Sequence, residues 1–259
     1  MKHSLLLATG IVAALSFTSC KKDSSEPNPP GGGGNPGTEK QLKKVTRTED
    51  GQTTVYNFTY DDQKRLTSYK STDDAESIIF TYSGQNLVGI EQKEDNSFKN
   101  IYAFTYQDNK PVSATLKAWQ LTAGEPDALI EDDKLTYTVT NNQVSAIKLE
   151  ILGDNMTMDF ALSYANGNLK SISTATPYAY SANFSFGNHK PIFPKVTNWI
   201  LDQAGFSMQF AAQNELLTAD YDFPGSEGDI NIHTTYTYDN NGYVLTSTDG
   251  TSNITFEYQ

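Results

Sequence analysis

The sequence predicts an all-β protein: antiparallel β-hairpin repeats in a curved or flattened barrel-like sheet of about 16–18 strands, with one short helical insert. Three observations carry this. Apolar and polar residues alternate with period two along most of the chain. An aromatic strand end followed by a polar turn recurs at a nearly fixed spacing. The chain holds 13 Phe and 15 Tyr but only 2 Trp, and most of the Phe and Tyr fall on one face of the predicted strands.

In chain order, the first element is an address. Met1-Lys2-His3 is a short basic start, and Leu5 to Phe17 is an apolar run broken only by Thr9, Gly10 and Ser16. Such a run is too short for a membrane span and has the proportions of a secretory signal. It ends at Phe17-Thr18-Ser19-Cys20, which resembles a lipobox, with Phe17 where Leu is usual. Cys20 is the lipidation candidate and the sole cysteine. The alternative is an ordinary signal peptide with an incidental cysteine. Residues 21–40 hold Pro27, Pro29, Pro30, Gly31 to Gly34, Pro36 and Gly37, the composition of a flexible tether. Residues 41–259 then form a single hairpin-repeat domain.

Within that domain Tyr56, Phe58 and Tyr60 alternate with polar neighbours, as do Met156 to Tyr164 and Tyr178 to Phe186. This is the pattern of antiparallel strands with one buried face. The aromatic strand ends mark anchors at 60, 82, 106, 139, 164, 186, 212, 238 and 258, mostly 20–26 residues apart, with 33 between 106 and 139. Each repeat has room for a hairpin. Asn166-Gly167, Asn241-Gly242 and Asp249-Gly250 supply turn residues that tolerate positive φ. The steps Leu87/Ile90, Val144/Ile147 and Leu169/Ile172 break strict alternation and predict a bulge or a turn exit.

Two stretches depart from the repeat. Trp119 to Asp133 reads as a long acidic loop. His189 to Gly205 reads as an insert with a short helix, with Pro194 in its first turn and Gly205 as its stop. Tyr60-Asp61-Asp62-Gln63-Lys64-Arg65-Leu66 and Tyr238-Asp239-Asn240-Asn241-Gly242-Tyr243-Val244 resemble the Tyr-Asp repeat of Rhs-type proteins. Lys64 stands where that motif prefers Gly, and Tyr243 where it prefers Arg. Lipobox, tether, degenerate Tyr-Asp hairpins and Pro-rich insert together resemble Bacteroides-type outer-membrane lipoproteins of unknown function with a porin-like fold. The resemblance implies an outer-membrane location, and Lys21 after the cysteine fits it. Asp23 and Glu26 point to the cell surface over the periplasmic face. It carries over no catalytic residue.

A porin turns apolar residues to lipid and polar ones to its lumen. Here aromatics lie all along the strands and Gln259 ends the chain, so the reading is aromatic-in and polar-out. The formal net charge of −12 argues against nucleic acid as a partner. Once the signal is removed no further cysteine nucleophile remains, and no Gly-x-Ser-x-Gly elbow or His-Glu-x-x-His occurs. His189 and His233 are far apart in sequence. Asp220, Asp222, Glu227 and Asp229 lie on a glycine-bearing acidic loop; the alternatives are a calcium site and a solvated turn. Trp119, Trp199, Tyr178 and Tyr180 are the candidate ligand-binding aromatics.

The expected function is a non-enzymatic, lipid-anchored binding or scaffold protein of the outer membrane, holding an apolar or glycan ligand on a concave aromatic face. One rival is a cell-surface display module with a filled core. The other is a carboxylate-dependent hydrolase built on the 220–229 loop. No cofactor is expected beyond the calcium alternative.

Overall fold

A computed structural model describes residues 40–224 and 228–259. Cys20, the predicted signal segment, the predicted tether before Lys40, and Glu227 lie outside the described residues. Seventeen strands follow one another: β1 (Leu42–Glu49), β2 (Gln52–Tyr60), β3 (Leu66–Ser71), β4 (Ser77–Ser83), β5 (Asn86–Glu94), β6 (Phe98–Gln107), β7 (Lys110–Gln120), β8 (Ala128–Thr140), β9 (Gln143–Ile151), β10 (Met156–Ala165), β11 (Asn168–Thr174), β12 (Tyr180–Phe186), β13 (Leu216–Asp222), β14 (Ile230–His233), β15 (Thr235–Tyr238), β16 (Val244–Thr248) and β17 (Ser252–Tyr258).

Each strand pairs antiparallel with its neighbour in sequence, and β1 pairs antiparallel with β17. The exception is β14 and β15, which only Thr234 separates. One residue cannot make a hairpin, so they form one strand path, paired first with β13 and then with β16. The Thr234 amide still donates to the Leu217 carbonyl at 2.9 Å. Seventeen strands less this one continuation is sixteen paths. An even number is what lets an alternating antiparallel ring meet itself antiparallel at the seam.

The predicted anchors are visible as backbone. Seven ladders shift register at the same place: Thr59/Tyr60, Thr81/Tyr82, Thr105/Tyr106, Thr138/Val139, Ser163/Tyr164, Ser185/Phe186 and Thr237/Tyr238. In each, the opposite strand holds the extra residue. Val88, Ser145 and Lys170 are three of them, inside the three-residue steps that predicted a bulge. A bulge increases local twist and bends the strand, which helps a sheet curl into a barrel. Tyrosine hydroxyls near these bulges reach across one strand to its backbone. Tyr60 and Tyr82 donate to the Leu42 and Leu66 carbonyls at 2.7 Å, Tyr164 to Val144 at 2.9 Å, and Tyr236 to Leu216.

Both Tyr-Asp turns have one construction. Asp61 Oδ1 accepts the amides of Gln63 and Arg65 at 2.9 Å, and Asp239 Oδ1 accepts those of Asn241 and Tyr243 at 2.8 and 2.9 Å. Lys64 has φ +63 and the matching Gly242 has φ +76.

Along the strands Tyr56, Phe58, Phe80, Tyr102, Phe104, Tyr137 and Phe160 are buried, while Thr59, Thr81 and Thr105 between them are exposed. A ring of sixteen strands is too wide for its own side chains to fill. The insert 187–215, between β12 and β13, supplies the filling. Phe193, Ile200, Leu201, Phe206, Met208 and Phe210 are buried in the same core as the strand aromatics. Phe210 meets Phe80 edge-on with centroids 5.0 Å apart, and Phe193 stacks on Tyr69 at 6.0 Å. The Tyr137 hydroxyl donates to the Leu201 carbonyl at 2.7 Å.

Three local expectations are corrected. The helical turn is a 3₁₀ turn over Phe206–Phe210, preceded by Gly205 in the left-handed region (φ +84), so that glycine opens the turn and does not stop a helix. Phe210-Ala211-Ala212 is part of this plug and not a strand end; Phe186 skips the insert and pairs with Leu216. Trp119 is in β7 and 128–133 is in β8, leaving a loop of 121–127 only.

Two substitutions test this packing. Phe210→Ala is expected to cost about 3–5 kcal/mol, the range for truncating a buried Phe. Lys64→Gly relieves a left-handed backbone and is expected to add about 1 kcal/mol. Urea unfolding followed by far-UV circular dichroism reads both.

Candidate functional site

The plug does not fill the lumen everywhere. A cavity of about 100 Å³ remains between the insert and the wall formed by β12 to β17. Phe186, Phe206, Met208, Leu216, Ile254 and Phe256 give it an apolar lining, and Pro191, Gln209 and Ala212, part exposed, form its rim. At its polar edge stand Asn214 and Glu215.

Glu215 is the last residue of the insert, and its side chain is 1% exposed. Its carboxylate is satisfied by groups from the start of the insert and from β15. Oε2 accepts the His189 amide at 2.7 Å; Oε1 faces His189 Nδ1 at 3.1 Å and accepts the Tyr238 hydroxyl at 3.0 Å. The His189 and Tyr238 rings stack with centroids 3.7 Å apart. Burial, then the Glu215 charge, pushes the Tyr238 hydroxyl well above its usual range, so it stays a donor. The Gly187 amide donates to the Glu215 carbonyl at 3.0 Å, and a Cβ at Gly187 would collide with the carboxylate. The two ends of the insert are thus tied at one point. Deeper in the plug, Asp202 accepts the amides of Ala204, Phe206 and Ser207 at 3.0, 2.8 and 2.6 Å, which fixes the approach to the 3₁₀ turn.

The sequence-predicted sites are scattered. Trp119 lies in β7 with Lys99 Nζ 5.0 Å from its ring, while Trp199 is a half-buried part of the plug. Tyr178 is exposed; Tyr180 packs among Phe160, Tyr221 and Phe223. Tyr178 and Tyr180 line one small pocket with Met158, Phe160 and Phe223, and neither Trp119 nor Trp199 lines it. Asp220 and Asp222 lie on the exposed face of β13, and Asp229 accepts the Phe223 amide at 3.0 Å. Among the described residues no three His, Cys, Asp or Glu side chains are placed to hold a metal ion. His233 is exposed on β14. Sequence reasoning missed Glu215, because only the fold brings residues 187–189, 215 and 238 together.

A second group of carboxylates faces inward near the opposite rim. Asp133 is buried and its Oδ1 has no hydrogen-bond partner. Burial, helped by Glu131, Asp132 and Asp154, raises its pKa from 3.8 to about 7. Glu94 rises to about 7 through burial and the nearby Asp95 and Glu76.

These two places give two predictions. Glu215→Ala leaves the His189 amide and the Tyr238 hydroxyl without their acceptor and is expected to cost roughly 3 kcal/mol in urea unfolding. An acid with a raised folded pKa holds its proton more tightly folded than unfolded, so the folded state loses stability as pH rises from 3.8 toward about 7. Asp133→Asn is expected to flatten that part of the stability–pH curve and to raise stability at pH ~8 by at least about 1 kcal/mol.

No protein-family model matches the chain, and no curated protein matches it. Among solved structures it is similar to a porin-like protein from Bacteroides vulgatus, at 15% identity and a TM-score of 0.54, over 85% of this chain and 99% of that one. A TcdB2-TccC3-Cdc42 structure aligns with 80% of this chain and 12% of its own, at 17% identity and a TM-score of 0.34. The first likeness is one of fold: the chain has the architecture of that porin-like protein.

Proposed function

We propose that the protein is a non-enzymatic, lipid-anchored binding barrel of the outer membrane, held outside the hydrocarbon layer by Cys20 and displayed at the cell surface. The polarity of the wall carries this reading. Lys70, Glu91, Lys134, Lys148, Asp159, Lys170 and Asp220, one each on seven of the strands, are exposed on the outer face. Each lysine turned to lipid at mid-depth would cost about 2–4 kcal/mol, and each carboxylate somewhat less. A barrel with this outside needs another means of attachment, and the lipobox-like Cys20 supplies one. The porin-like fold is compatible with a membrane or surface β protein, but the plugged lumen argues against conduction. The insert covers the aromatic face expected to be concave and open, which narrows the ligand to what the remaining cavity admits and disfavours a glycan stacked along the sheet. The same plug favours a second reading, a display module with a filled core.

Metabolic labelling with palmitate tests the anchor. The wild-type chain is expected to take up label and stay with the membrane fraction, and Cys20→Ala to lose label and become soluble. Protease treatment of intact cells should degrade the domain. Protection of the domain would rule out surface display, and unchanged fractionation of Cys20→Ala would rule out the anchor.

A further inference from the structure

We infer that the cavity between the insert and the β12–β17 wall is a binding site for a small amphiphile: a slim alkyl body with an uncharged or cationic head that donates a hydrogen bond. This deepens the binding reading above and rests on it.

Four observations converge on that ligand. The first is size. An engineered apolar cavity of about 150 Å³ takes up benzene; one of about 100 Å³ suits an unbranched chain better than a ring. The second is lining. Phe186, Phe206, Met208, Leu216, Ile254 and Phe256 present carbon and a thioether, and atoms facing an empty space forgo the dispersion contacts that an alkyl chain would restore. The third is the head-group environment. Glu215, Asn214 and Gln209 are the acidic and amide side chains of the lining. The Glu215 carboxylate is already engaged by the His189 amide and the Tyr238 hydroxyl, and Asn214 Oδ1 by Asn168, so this edge disfavours an anion and leaves the Gln209 side-chain oxygen as the acceptor for a hydroxyl or an ammonium. The fourth is adaptability. One wall is a hydrogen-bonded sheet, whereas the other is an insert whose single regular element is the 3₁₀ turn Phe206–Phe210. That turn carries Met208, a side chain suited to moulding itself to a guest.

The anchor at Glu215 explains why the cavity persists. Ties from the Gly187 amide, the His189 amide and the Tyr238 hydroxyl hold the end of the insert against β15. The insert is thus fixed at its ends and shaped by the Asp202 turn in its middle. Collapse onto Ile254 and Phe256 would require breaking one of these.

The test uses the full chain in detergent micelles with methionine methyl groups labelled with carbon-13. Met208 lines the cavity, while Met156 in β10 serves as the internal reference. The Met208 resonance, assigned by its loss in Met208→Leu, is followed during titration with n-pentylamine, n-pentanol and pentanoate. We expect saturable shifts of Met208 with the amine and the alcohol, at least about tenfold weaker binding of pentanoate, and an unmoved Met156. Ala219→Val, which adds carbon to the lining, is expected to abolish saturation; Ile254→Phe is the second filling variant should the first disturb β13. Absence of a saturable Met208 shift with every probe overturns the site. Equal binding of pentanoate overturns the head-group assignment, and undiminished binding in both filling variants overturns the location. Palmitate labelling of Cys20 is independent of all these results, so failure here and failure of the anchor reading are separately visible.

Discussion

The structure depends on one piece of packing: the aromatic lining of a wide ring against the segment that threads its lumen. Sixteen strand paths enclose more space than their side chains can occupy. Without Phe193, Phe206 and Phe210 the rings of Phe58, Tyr69 and Phe80 would face water. Burial of apolar surface is the dominant favourable term in folding, so wall and plug cannot be separate designs. The plug has little regular backbone because it must meet strands from several directions. Its backbone groups are satisfied locally, by Asp202, by Ser207 Oγ toward the Leu201 amide, and by the Val196 amide on the Phe210 carbonyl.

Much of the wall was legible in the sequence because it repeats a local cause. An aromatic, a bulge and a turn recur together, and each acts within one hairpin. Tyr60, Tyr82 and Tyr164 could therefore be identified as anchors without knowing their neighbours in space. The same rule misfired at Phe210-Ala211-Ala212. That tripeptide has the look of a strand end but no partner strand, since Phe186 already pairs with Leu216. Trp119 misled in the opposite way. An acidic, proline-bearing stretch suggested a loop, yet 128–133 continues the ladder with β7.

The candidate site was not legible, for a physical reason. Glu215 acquires its role from His189 and Tyr238, and neither distance nor burial can be read from residues 26 and 23 positions apart. The four predicted aromatics were chosen for their chemistry alone, and of them the fold brings Tyr178 and Tyr180 to one pocket. Their burial is that of packing residues in three of the four cases, with Tyr178 the exposed exception. Where the sequence and the fold did agree was on polarity: aromatic inside, hydroxyl and charge outside.

The seam between β1 and β17 has a consequence for assembly. Val45 lies opposite Phe256, and Arg47 opposite Ile254, more than two hundred residues apart in the chain. Every other ladder joins strands that follow one another in the chain, all but β12–β13 through a short connection, and can form as the chain emerges. The seam cannot, and until it forms the sheet carries two open edges of unpaired amides and carbonyls. The last strand therefore works as a clasp. A chain that folds from its N-terminus stays an open, adhesive ribbon until β17 arrives, and the interval before closure is when a chaperone would matter most.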